Sequence, residues 1–146
     1  MVWYEAGSFF WIATDTYLQK WDWSGSAFSR SVNYDWSADW SIYDPQNLAY
    51  DADRDLIIAA SANRLNLYDV STTPSRTYQG TVNQTYLNME YDETTQTIYT
   101  TGFDSSGFDV NSFDASDETN VTSIQSLFVS STYVQENLSN GGHALV

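Results

Sequence analysis

A chain of 146 residues, 42% hydrophobic and 16% aromatic, carries enough apolar surface for one domain with a substantial core. Its formal net charge of −14, from 19 acidic against 5 basic side chains, excludes binding to nucleic acid or to an anionic membrane, since both need cations clustered against phosphates. With no cysteine, thiolate metal sites, thiol catalysis and a disulfide scaffold are excluded as well.

Self-repulsion of this size destabilises a compact state unless salt screens it, and at molar salt the Debye length falls to about 3 Å. A halophilic source is the first expectation from this charge, and an acidic secreted or virion-surface protein from ordinary conditions the second. No apolar run approaches the ~18 residues of a membrane span, so no membrane insertion is expected. The N-terminus has no basic start followed by an apolar core, so no signal peptide is visible.

Taken in order, the chain reads as short apolar or alternating runs separated by Asp, Asn, Ser and Gly, the signature of strands and hairpins. Strands are expected at Val2–Glu5, Phe9–Thr14, Tyr17–Ser24 and Phe28–Tyr34, then at Leu48–Tyr50, Leu56–Ser61, Leu65–Val70 and Arg76–Val82. A third set follows at Tyr86–Tyr91, Thr97–Thr101, Phe108–Phe113 and Thr122–Val129, and a partial fourth at Gln135–Ser139 and His143–Val146. No helical periodicity lasts beyond two turns, so the fold class is all-β.

The sets are copies of one unit. VWYEAGSFFWIATD (Val2–Asp15) overlays LAYDADRDLIIAAS (Leu48–Ser61) at an offset of 46, pairing Tyr4 with Tyr50 and Glu5 with Asp51. One residue of slippage later, LQKWDWS (Leu18–Ser24) falls on LNLYDVS (Leu65–Ser71). MEYDETTQTIYTTG (Met89–Gly102) overlays the same segment at an offset of 41, and NSFDAS (Asn111–Ser116) falls on NLYDVS. LNLYDVSTTPSRTYQGTV (Leu65–Val82) resembles the LVIVD-type β-propeller repeat, in which a strand ending in Asp-Val-Ser is followed by a Pro turn and a small-residue outer strand. The wider YVTN-type and WD-repeat propellers share the blade pattern. The resemblance implies an array of four-stranded antiparallel blades in one domain: blade 1 at 2–35, blade 2 at 48–82, blade 3 at 86–130 and a partial blade 4 at 135–146. It also implies a non-catalytic surface or scaffold protein, with no catalytic residues to carry over. Propellers typically close with four to eight blades. Three and a half are therefore expected to be a piece of a longer chain, or to be completed by other protomers in an atypical assembly.

Candidate sites follow from residue type and spacing. The loop YDWSADWSIYDPQN (Tyr34–Asn47) is roughly ten residues longer than the equivalent connection after blade 2, and long loops are often functional. It offers Asp35, Trp36, Asp39, Trp40 and Tyr43 as a candidate ligand-binding set, with indole faces for sugar rings and polar groups at their edges. The competing expectation is that Trp36 and Trp40 pack over the seam between blades 1 and 2. Asp51, Asp53 and Asp55 have the alternate spacing of a calcium loop, but Leu56 and Ala62 stand where Gly and Glu are needed, so a solvated hairpin turn is the better reading. His143, the only histidine, reads as a strand residue. Asn83, Asn120 and Asn137 head sequons and are candidate glycan acceptors. No pair among the carboxylates stands out by spacing for glycoside hydrolysis. No phosphate-binding glycine loop or nucleophile elbow is present.

The sequence leads to a non-catalytic structural or adhesive module of a virion, cell surface or extracellular assembly. No cofactor is expected, and the expected partners are protein subunits, as a homo-oligomer or within a larger particle. A lectin-like module centred on Trp36 and Trp40, with a glycan as its ligand, is the alternative.

Overall fold

The computed structural model describes residues 1–40, 45–61, 63–82, 87–103 and 107–130. Twelve strands run β1 (Val2–Tyr4), β2 (Phe9–Ala13), β3 (Tyr17–Trp23), β4 (Phe28–Asp35), β5 (Asn47–Asp51), β6 (Leu56–Ala60), β7 (Arg64–Asp69), β8 (Ser75–Thr81), β9 (Leu87–Asp92), β10 (Thr97–Phe103), β11 (Gly107–Asp114) and β12 (Thr122–Ser130). A single helical turn, α1 (Ser37–Trp40), lies between β4 and β5. The strands form three four-stranded antiparallel meanders, β1–β4, β5–β8 and β9–β12, here sheets 1, 2 and 3. The expected all-β class holds. No ring closes among the described residues, and the half-blade expected at 135–146, with His143, lies outside them.

The three sheets repeat in backbone detail. Ser8, Asp55 and Gln96, 47 and 41 residues apart, are the positive-φ non-glycine residues of the described chain, at φ 52°, 50° and 54°. Each closes the first hairpin of its sheet, where the turn needs a left-handed residue. The carbonyls of Ser8, Asp55 and Gln96 then accept from the amides of Trp23, Val70 and Ala115 at 2.8, 2.8 and 2.9 Å. A β-bulge falls at the same step of each third strand, Lys20/Trp21, Leu67/Tyr68 and Ser112/Phe113.

This registry corrects the sequence overlay. Tyr4 opposes Phe9 in the first hairpin and Asp51 opposes Leu56 in the second, so Phe9 is equivalent to Leu56 and the offset is 47 throughout both hairpins. The Tyr and acidic identities that favour 46 are one residue out. On a pleat with period two, that slip exchanges the two faces of the sheet.

With the register set, sheet 2 is buried on both sides. All five residues of β6, LIIAA, are buried. Leu56, Ile58 and Ala60 join Leu65 and Leu67 against Ile98, Ala115 and Val121 of sheet 3. Ile57, Ala59 and Tyr68 pack with Phe9, Trp11 and Leu18 of sheet 1. A continuous apolar run is what a strand covered on both faces requires. Backbones of neighbouring sheets come closest along their first strands, β1 beside β5 and β5 beside β9, and the seams beyond are filled by side chains.

The stacking is head-to-tail. The face of sheet 2 that meets sheet 3 is equivalent to the face of sheet 1 that meets sheet 2, and each sheet thus has a leading and a trailing face. Replacing Ile57 or Ile58 by Ala opens one seam or the other, and each change is expected to lower the unfolding free energy by about 2–5 kcal/mol. Leu127→Ala, at a position 54% exposed, should stay within ~0.5 kcal/mol. Urea titration checks both, and a loss below ~1 kcal/mol at either isoleucine contradicts two-sided burial.

Candidate functional site

The first half of the candidate loop, Asp35–Trp40, folds inward. Asp35 continues the turn chemistry seen elsewhere in the chain: its Oδ1 accepts from the Ser37 amide at 3.0 Å and the Ser37 hydroxyl at 2.7 Å. The same Asp-x-Ser/Thr turn recurs at Asp69–Ser71, Asp114–Ser116 and Asp117–Thr119, each with an Oδ1 to amide distance of 2.9 Å. Those hydrogen bonds hold the carboxyls of Asp35, Asp69, Asp114 and Asp117 below the ordinary aspartate range. One helical turn then places Trp36 and Trp40 on one face, four residues apart, with ring centroids 5.3 Å apart.

Both rings are 1% exposed and belong to the core between sheets 1 and 2. Trp36 donates Nε1–H to the Thr14 carbonyl at 2.8 Å and packs on Tyr68. The expectation of exposed stacking faces is therefore corrected: apolar area is removed from water by turning the loop into the seam. Asp39 is equally engaged. Its carboxylate accepts from Arg76 Nη1 at 2.6 Å and from the Tyr68 hydroxyl at 3.1 Å, and its carbonyl accepts from Arg64 Nη1 at 2.5 Å. Burial and the Asp39 charge both push the Tyr68 hydroxyl far above its ordinary pKa, so it stays a donor. The loop is thus a clamp of sheet 1 onto sheet 2. Tyr43, Asn83 and Asn137 lie outside the described residues, whereas Asn120 is exposed in the turn before β12.

The three carboxylates of D-A-D-R-D diverge. Asp55 accepts from the Tyr50 hydroxyl at 2.6 Å, and Asp53 is exposed. Asp51 is not solvated, being 1% exposed at the seam between sheets 2 and 3. Its Oδ2 accepts from Arg54 Nε at 2.6 Å and from the Tyr91 hydroxyl at 2.7 Å. Arg54 also donates to the Ala115 carbonyl at 2.7 Å and to the Tyr91 hydroxyl at 2.6 Å. Glu93 of sheet 3 adds an acceptor for the Ala52 amide at 2.9 Å. Arg54 therefore acts as a polar rivet between sheets 2 and 3, the counterpart of the Asp39 clamp. Neither arrangement was legible from spacing, because the partners that meet across each seam stand 25 to 61 residues apart in the chain.

Among the described residues, no sheet covers the trailing face of sheet 1. Trp3, Phe10, Phe28 and Trp23 form a line of ring contacts across it, with successive centroids 6.2, 5.2 and 4.6 Å apart. Trp3 is 47% and Phe28 53% exposed. Beside them Trp21 donates to Gln19 Oε1 at 3.2 Å and Gln19 to Asn33 Oδ1 at 2.7 Å. Contiguous exposed aromatic surface of this kind is uncommon on monomeric soluble proteins. The doubled aromatic pattern of VWY, FFW and WDW, apolar on both faces of the pleat, was the available signal in the sequence. An open groove of about 470 Å³ lies between β4 and the β7–β8 turn and is lined by Ser31, Asn33, Tyr34, Thr72, Thr73 and Pro74 among others.

Comparison of the chain with protein-family models, with curated proteins and with solved structures finds no match in any of the three.

Burial disfavours the Asp51 carboxylate, but the Tyr91 and Arg54 hydrogen bonds outweigh it, and its pKa lies below the usual value. A carboxyl with a depressed folded pKa contributes stability that is present above its unfolded pKa and lost as pH falls through the folded one. The stability gap between the native chain and Asp51→Asn should therefore be largest near neutrality. It should close as pH drops through and below about 3.9, the ordinary aspartate value. Urea midpoints measured against pH read this, and a gap that does not change with pH contradicts the rivet.

Proposed function

We propose that this chain is a non-catalytic structural or adhesive module of propeller-type blades, belonging to a virion, cell surface or other extracellular assembly. It works by packing sheet faces against protein subunits, with loop tips free for recognition. One observation carries this reading: a sheet face with four aromatic rings in contact is turned to solvent, while the candidate ligand loop is spent on internal packing. Large aromatics in a flat array are what protein interfaces use as anchors. The acidic, lysine-poor surface supports a setting outside the cell or in brine, where charge keeps such a module soluble.

The glycan-binding alternative finds its exposed rings at Trp3, Trp23 and Phe28, not at Trp36 and Trp40. Titrating the chain with oligosaccharides while following tryptophan emission separates the two. The packing reading expects no saturable response, and it expects Trp3→Ser with Phe28→Ser to leave stability within ~1 kcal/mol. Saturable quenching that this double substitution abolishes would put glycan binding in its place.

A further inference from the structure

The trailing face of sheet 1 is the third copy of a surface that the chain covers twice. In sheet 2 the trailing face is built on Tyr50, Ile57, Ala59, Asn66 and Tyr68. Ile57, Ala59 and Tyr68 are buried in the core shared with sheet 1, and Tyr50 packs against it. In sheet 3 the equivalent residues are Tyr91, Ile98, Thr100, Asn111 and Phe113, and Tyr91, Ile98 and Phe113 pack against sheet 2. In sheet 1 the register places Trp3, Phe10, Ile12, Gln19 and Trp21 at these positions, and among the described residues no sheet lies over them.

The other half of the same seam is also present, and among the described residues no sheet lies over it, although Thr97 at its edge is buried. The leading face that covers sheet 3 consists of Leu56, Ile58, Ala60, Leu65 and Leu67. Its equivalent on sheet 3 is Thr97, Tyr99, Thr101, Val110 and Ser112, with Tyr99 42% exposed and Leu127 beside it 54% exposed. The two faces are complementary in side-chain size. Where sheet 1 carries Trp3, Phe10 and Trp21 in place of Tyr50, Ile57 and Tyr68, sheet 3 carries Thr97 and Ser112 in place of Leu56 and Leu67. A depression of about 170 Å³ lined by Tyr99, Val110, Ser112, Gln125 and Leu127 is available to a protruding ring. One polar position has a counterpart too. Asp92 stands in the place of Asp51, which accepts from the Tyr91 hydroxyl at 2.7 Å, and Trp3 brings an indole N–H to the position of Tyr91.

We infer that the trailing face of sheet 1 docks on the leading face of sheet 3 of a second copy of this chain, continuing head-to-tail the stacking that joins sheets 1, 2 and 3. The inference rests on the protein-packing reading and names its partner. The contact is heterologous, so an open stack of copies keeps one free half of each kind, at its two ends, until a ring closes.

The test uses the full chain and light scattering over a concentration series in molar salt. The native chain should rise from 16.5 kDa to a multiple of it. Trp3→Glu with Phe28→Glu, and separately Tyr99→Glu with Leu127→Glu, should each weaken self-association at least tenfold, with β circular dichroism retained. Mixed together, the two variants should recover a 1:1 dimer that grows no further, because one intact half remains on each. A native chain that stays monomeric at every concentration overturns the inference, and residues of its own chain or of a longer parent then cover the face. A Tyr99/Leu127 variant that still associates overturns it too, in favour of a face-to-face contact between two sheets 1. Either result leaves the packing reading standing, since that reading fails only on glycan binding through the exposed rings. Should the sheet 1 variant lose its β signal, the milder Phe28→Ser serves in the same mixing experiment.

Discussion

β6 must serve two seams at once. Leu56, Ile58 and Ala60 point to one neighbour and Ile57 and Ala59 to the other, so a five-residue strand with no exposed side chain ties three sheets into one body. Fully burying each Ile or Leu of this strand is worth about 1.5–3 kcal/mol. No other sheet of the described chain is covered on both sides, and the stability of sheets 1 and 3 depends on their contact with this one. The polar clamps at the two seams work in the same direction. Of five basic residues, Arg64 and Arg76 hold Asp39 at the first seam and Arg54 joins Asp51 to Tyr91 at the second. Lys20 lies 3.9 Å from the centroid of the Phe9 ring. A chain so short of cations places three of the five where they hold sheets together, while many of its carboxylates hold turns.

The repeat also explains why the ends differ from the middle. A head-to-tail stack always leaves one trailing and one leading face open. Here the open trailing face is larger and more aromatic than its buried equivalents, and the open leading face carries Thr97 and Ser112 where sheet 2 has leucines. The leading face also carries Glu90 and Asp92, opposite Tyr99 and Thr97.

Much of the fold was legible in the sequence, because strands bounded by Asp, Ser and Asn turns show directly in runs such as LIIAAS and LNLYDVS. The register was harder to read. Tyr4 and Glu5 look like Tyr50 and Asp51, yet hydrogen bonding aligns Trp3 and Tyr4 with them, because hairpin closure at Ser8 and Asp55 decides the pleat and side-chain identity does not. The site was legible only in part. Trp36 and Trp40 stand out as a pair in the sequence, but whether a helical turn faces inward depends on Thr14 and Tyr68, which are distant in sequence. The exposed rings of sheet 1 escaped notice for a related reason. Aromatic residues on both faces of a strand read as core until the number of neighbouring sheets is known.

Native-state hydrogen exchange of β6 tests the central claim most directly. If one doubly covered strand unites the stack, the amides of Leu56–Ala60 should exchange only through global unfolding, and those of Trp11 and Ile98 should share that free energy. Exchange of β6 at the rates of the outer strands β4 and β12, or a sheet 1 that opens while β6 stays protected, would contradict it.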